Sequence, residues 1–160
     1  MKKTKLPEHR AGIWLDQETA YIVRLSGDLI DKVEGLISDV ESRVRMAGEG
    51  KVYARFGHDF LDNQGKTQHR QNNQRAKFFK EIVHRLQGVG TLYVFGPGQA
   101  RSGLHRLLEK DPVLAGHTAE CAPADRMNKR QAVAATLDYF NGEAYKQYKK
   151  ERRKALKALH

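Results

Sequence analysis

The sequence predicts an α/β sandwich: a mixed sheet of about five strands flanked by helices, followed by a basic C-terminal helix. Three observations lead there. An early stretch alternates apolar and polar residues with period two. A compact apolar run further on lies between two helical patterns, the arrangement of strands joined by helices. The 160 residues are the length of one ordinary domain, enough to bury a core without disulfides or metal.

The alternation runs from Ala11 to Leu25. Ile13 and Leu15 precede a polar break at Asp16-Gln17-Glu18, and Tyr21, Val23 and Leu25 follow it, which predicts a hairpin. Leu29 to Val40 fits strand and helix equally and is taken as the third strand. A helix is expected from Arg75, because Phe79, Ile82, Val83 and Leu86 fall at i, i+3, i+4 and i+7 and Gly88 stops it. Thr91-Leu92-Tyr93-Val94-Phe95 has the composition of a buried strand. Gly96-Pro97-Gly98 then turns the chain into a second helix holding Leu104, Leu107 and Leu108, with Pro112 beyond its end. A last strand is expected at His117–Cys121, and a third helix from an Asp125 N-cap to Phe140.

Hydrophobic residues are 39% and charged residues 30%, a globular composition. The 29 Lys and Arg outnumber the 19 Asp and Glu, for a formal net charge of +10. Such a surplus favours polyphosphates, whose neutralisation releases condensed counterions, although an anionic membrane attracts the same charge. Cys121 is the only cysteine, so an internal disulfide is excluded and a thiolate zinc site nearly so. The segment Met1–Pro7 lacks an apolar run, and no stretch approaches the roughly 18 apolar residues of a spanning helix. A cytoplasmic protein without membrane attachment is expected.

The positive charge is concentrated in two places. Between Asn63 and Lys80 the basic residues are Lys66, Arg70, Arg75, Lys77 and Lys80, with no acid among them and many Asn and Gln. An exposed loop is expected at about 57–74, with Lys66, His69, Arg70, Arg75 and Lys77 as candidate RNA contacts and the amides available to bases and 2′-hydroxyls. The second concentration runs from Tyr145 to His160, where Glu151 is the single acid. There Lys149, Lys150, Arg152 and Arg153 are the candidates, within a cationic stretch from Lys146 to Lys157. The Gly96, Gly98, Arg101 turn could offer helix amides to an anion, but its spacing is neither a P-loop nor a dinucleotide fingerprint, and a glycine-requiring turn is the preferred reading. The histidines (His9, His58, His69, His84, His105, His117, His160) form no metal-binding pair, and Asp16, Glu18, Glu34, Asp39 and Glu41 match no carboxylate template. No catalytic residue, metal site or cofactor is expected.

The stretch Asn72-Asn73-Gln74-Arg75-Ala76-Lys77-Phe78-Phe79-Lys80-Glu81, followed by a helix, Leu92-Tyr93-Val94-Phe95-Gly96-Pro97-Gly98, Arg101, a further helix and a strand up to Thr118, resembles the middle domain of archaeal and eukaryotic peptide-chain release factors and of their relative Pelota. Bacterial single-domain relatives, including host-attachment proteins, are similar. The resemblance covers roughly Ala11 to Phe140 and implies a fold related to the ribonuclease-H-like motif and action on the ribosome. Release factors carry Gly-Gly-Gln at the tip of the loop; here the matching Asn63-Gln64-Gly65-Lys66-Thr67-Gln68 holds one glycine. In this the chain resembles more the Pelota branch, which uses this domain without hydrolysis.

The expected organisation is an N-terminal extension over 1–10, the α/β domain over 11–141 and a basic tail over 142–160. The expected function is a non-catalytic ribosome- or RNA-binding factor in rescue, hibernation or assembly, with the ribosome, rRNA or tRNA as partner. A nuclease or peptidyl-tRNA hydrolase on the same fold and a module for an acidic protein partner are the alternatives.

Overall fold

The computed structural model describes residues 8–38 and 72–159. Strand β1 (His9–Leu15) is the centre of the sheet and is buried along almost its whole length. It pairs antiparallel with β2 (Thr19–Ser26), which pairs antiparallel with β3 (Leu29–Ile37). On its other side β1 pairs parallel with β4 (Thr91–Gly96), and β4 with β5 (Thr118–Pro123). Among the described residues the order β3-β2-β1-β4-β5 makes the expected mixed five-stranded sheet.

Tight turns can join only the antiparallel members; parallel neighbours need a crossover. Asp16 closes the first turn, its Oδ1 accepting the amides of Glu18 at 2.8 Å and Thr19 at 2.7 Å. Gly27, at φ 61°, supplies the second. The helix over residues 72–85, α1, carries the chain to β4, and α2 (Ala100–Lys110) returns it to β5. Then α3 (Lys129–Phe140) and α4 (Glu143–Ala158) complete the chain.

Period two along the strands divides the core between two faces. Ala11, Ile13, Leu15, Ile22, Leu92 and Val94 face α1 and α2, meeting Phe78, Phe79, Ile82, Leu86, Leu104 and Leu108. On the reverse face Trp14 and Phe95 pack with Ala132 of α3, while Val23 and Leu25 pack with Phe140 and with Tyr145 of α4.

Several boundaries differ from the sequence expectation. Strand β1 begins at His9, and Arg10 is already buried within it. Asn72, Asn73 and Gln74, assigned by composition to the loop, are helical. Strand β5 is displaced toward Pro123. The N-cap of α3 is Asn128, not Asp125. Asn128 Oδ1 accepts the Gln131 amide at 2.8 Å and Gln131 Oε1 accepts the Asn128 amide at 2.9 Å, a reciprocal box that Asp125 has no partner to form. The backbone carbonyl of Asp125 instead accepts the Trp14 indole N–H at 3.1 Å. The part of the third strand beyond Ser38 and the loop's Lys66, His69 and Arg70 lie outside the described residues.

Candidate nucleic-acid interface

The tail folds as the 16-residue helix α4, about 24 Å long at 1.5 Å per residue. Too polar to be stable alone, it is held by its first turn and a half. Tyr145 is 2% exposed, packs edge-on against Phe140 at 4.9 Å between ring centroids, and donates its hydroxyl to Glu8 Oε1 at 3.1 Å. Tyr148, one turn on, joins the same cluster. Beneath them lies Arg10. Its guanidinium stands 5.0 Å from the centre of the Phe140 ring and 5.6 Å from that of Tyr145, donates to the Gly27 carbonyl, and lies 3.6 Å from Asp28. This cation–π stack ties β1 to both C-terminal helices and is worth about 1 kcal/mol or more where water is excluded.

Tyr145 and Tyr148 turn inward at the start of α4, and from Lys149 to Leu159 every residue is exposed. At about 100° per residue, Lys146, Lys149, Lys150, Arg153, Lys154 and Lys157 fall within an arc of about 140°. All six are exposed. Glu143, at the helix start, pairs with Lys146 at 3.4 Å, and Glu151 lies off the arc, where Gln147 bonds it at 3.2 Å. The result is a ridge of like charge with one acid at its beginning. Arg152 departs from it, its guanidinium lying 3.4 Å from the Tyr148 hydroxyl. Lys149 belongs to the ridge, with its ammonium 5.5 Å from the Tyr145 ring centre.

The other candidates lie elsewhere. Lys77 is exposed on α1 and Arg75 half-buried there with its Nε unpaired; α1 covers the face of the sheet opposite α4. The two cationic sets therefore cannot form one flat surface. In the Gly96–Arg101 turn, Arg101 Nε donates to the Gly96 carbonyl at 3.1 Å, so its charge closes the turn. Among the described residues no three His, Cys, Asp or Glu side chains gather as metal ligands, and no helix is long and apolar enough to cross a membrane. Sequence reasoning missed Arg10 and Tyr145 as anchors. The signal was present for the second: Tyr145 and Tyr148, at i and i+3, head an otherwise polar helix.

No protein-family model and no curated protein sequence matches the chain. Solved structures do. Pelota of Archaeoglobus fulgidus superposes with a TM-score of 0.54 and 16% identity over 97% of this chain. The fold is shared with archaeal Pelota. Pelota of Thermoplasma acidophilum matches equally well, at 0.54 and 16% over 91% of this chain. An archaeal translation termination factor matches over 94% with a TM-score of 0.45 and 16% identity. The chain spans 37% and 36% of the two Pelota chains and 39% of the termination factor.

Proposed function

We propose that this protein is a translation-related factor that binds RNA on the ribosome, without catalysis of its own, through the cationic ridge of α4. The single observation that carries the reading is the clustering of Lys146, Lys149, Lys150, Arg153, Lys154 and Lys157 along one side of an exposed helix that Tyr145 and Tyr148 anchor to the core at its start. Cationic side chains spaced along a helix about 24 Å long can meet successive phosphates. Contacts of this kind position the protein on a nucleic acid and carry little sequence information. The fold shared with Pelota supports the ribosome as the place where they are made. Arg75 and Lys77 on the reverse face, with Lys66, His69 and Arg70 beyond the described residues, would engage a second RNA segment. Ribosomes are cytoplasmic, and so is the site of action.

Sedimentation through a density gradient tests the proposal. The protein should travel with ribosomes or one subunit at low salt and be released as salt rises. A charge-reversal variant, Lys150→Glu with Arg153→Glu, should remain at the top at all salt concentrations. Absence of association at low salt, or association indifferent to salt, overturns the reading.

A further inference from the structure

Helices α1 and α2 run side by side on the face away from α4, in close contact: a Cβ placed on Gly103 would approach Phe79 Cε2 to 2.9 Å. Toward their C-terminal ends lies a groove of about 370 Å³, with Val83, Leu107 and Pro112 supplying apolar wall. Lys80, His84 and Lys110 line it as well, and none of these three side chains has a hydrogen-bond or ion-pair partner among the described residues. A neighbouring cavity of about 400 Å³ shows the ordinary alternative. There Lys32 meets Glu34 at 2.8 Å, Arg85 meets Glu34 at 2.7 Å and Glu81 at 3.2 Å, and Arg24 donates to the Arg85 carbonyl. The lysine and arginines of that cavity are satisfied internally, whereas Lys80 and Lys110 of the first are left over, and His84 lines both.

Two further groups narrow the ligand. Asp111 lines the groove with one carboxylate oxygen occupied by the amides of Val113 and Leu114 at 2.9 and 3.0 Å, which leaves the other to accept. Gln87 donates its amide to the Val83 carbonyl at 3.3 Å, leaving its oxygen to accept as well. A bare anion gains nothing from a carboxylate nearby. A ligand with an anionic group for the cations, hydroxyl or amino donors for Asp111 and Gln87, and a flat apolar body for the wall uses every group present. Pockets that bury small ligands are roughly 300–1,000 Å³, lined by apolar surface with a few placed polar groups.

We infer that the α1–α2 groove binds a nucleoside monophosphate unit, its phosphate between Lys80, His84 and Lys110, its sugar hydroxyls toward Asp111 and its base against Val83, Leu107 and Pro112. The unit is either a free nucleotide or the phosphorylated end of an RNA strand. The site is separate from the α4 ridge and stands whether or not that ridge binds RNA.

Titration calorimetry on the full chain decides it. Adenosine 5′-monophosphate should bind, with adenosine and inorganic phosphate each at least about tenfold weaker, since each supplies only part of the contacts. Lys80→Glu with Lys110→Glu should weaken nucleotide binding by about tenfold or more, while the ridge variant Lys150→Glu with Arg153→Glu leaves it unchanged. Both lysines are exposed, so the fold should persist, and an unchanged far-ultraviolet circular dichroism spectrum checks this. Displacement of the nucleotide by a 5′-phosphorylated trinucleotide, but not by its dephosphorylated form, assigns the site to RNA ends. Nucleotide binding without displacement assigns it to free nucleotide, and either result supports the site. No nucleotide binding, phosphate binding as tightly as the nucleotide, or loss of binding in the ridge variant instead of the groove variant overturns it.

Discussion

Gly12, at the middle of the central strand, lies directly beneath Thr136 of α3: a Cβ built on Gly12 would stand 2.2 Å from Thr136 Oγ1 and 2.5 Å from its Cγ2. Thr136 is fully buried and its hydroxyl donates to the Ala132 carbonyl at 2.8 Å, so it has nowhere to retreat. The missing side chain lets helix and sheet approach to backbone distance. Gly12→Ala should cost about 1–3 kcal/mol in denaturant unfolding. Adding Thr136→Ala should recover part of that loss, because two of the three colliding atoms disappear. Full independence of the two changes in the double-mutant cycle would show that α3 does not depend on this contact.

Gly96 and Gly98 flank one proline yet should respond differently to substitution. A Cβ on Gly96 would meet the Leu15 carbonyl oxygen at 2.1 Å, and its φ of 150° is one that L residues rarely adopt. Backbone cannot swing aside as a side chain can. Gly98, at φ 67°, has nothing within 4 Å of the same position. Gly96→Ala should destabilise by about 3 kcal/mol or more, and Gly98→Ala by about 1 kcal/mol, the left-handed penalty alone. Thermal unfolding of the two variants side by side makes the comparison.

Tyr145 is the hold on α4. Tyr145→Phe removes only the bond to Glu8 and should cost about 0.5–1.5 kcal/mol. Tyr145→Ala empties a buried aromatic site over Arg10 and Phe140 and should cost about 3 kcal/mol, with α4 losing helicity. Helical circular dichroism together with amide exchange along α4 would register the difference. Equal exchange protection of α4 in Tyr145→Ala and in the parent would show that the helix is held by other means.

Three tyrosines tie the fold to alkaline pH. Burial pushes the Tyr145 hydroxyl above its ordinary value, and the Glu8 carboxylate pushes it further. Burial followed by the Glu120 carboxylate does the same to Tyr93 and Tyr139. The folded state thus prefers the protonated, neutral phenol. The associated stability is complete below the ordinary tyrosine value of about 10 and is lost as pH rises through the higher folded values. Absorbance titration should find these phenols ionising together with unfolding, later than Tyr in the denatured chain. Normal, reversible ionisation of all the tyrosines in the folded protein would contradict this.

Binding through the ridge predicts the form of the salt dependence. For single-stranded RNA the slope of log K against log salt is about −0.7 per neutralised phosphate. Removing two cations by Lys150→Gln and Arg153→Gln should flatten it by roughly 1.4. Arg152→Gln should change it less, because that guanidinium is turned toward Tyr148. A slope unmoved by the double change would remove α4 from the interface.

Much of the architecture was legible from local pattern. The hairpin followed from two apolar stretches around the polar break at Asp16, and α1, β4 and α2 from apolar spacing bounded by Gly88 and the Gly96-Pro97-Gly98 turn. Strand β3 was ambiguous for a physical reason. It is an edge strand, with Leu29 at 75% and Ile37 at 83% exposure, so its hydrophobic residues do not trace a buried face. The α3 cap was misplaced by three residues because Asp125 is a good cap residue in isolation, whereas the Asn128–Gln131 reciprocity was the better signal. The candidate cations were visible as composition. Their division between opposite faces of the sheet was not.

Chain order, element type and charge surplus are properties of near neighbours in the sequence, where propensity, periodicity and composition act within a few residues. Which charges share a surface, which are consumed internally and which stay free depends on contacts between residues far apart in the chain. Arg10 reaches the helices that begin after residue 128, Trp14 bonds Asp125, and Lys80 and Lys110 come to line one groove. No local pattern encodes those meetings, because they follow from the register of the strands and the way the helices among the described residues divide between the two faces of one sheet.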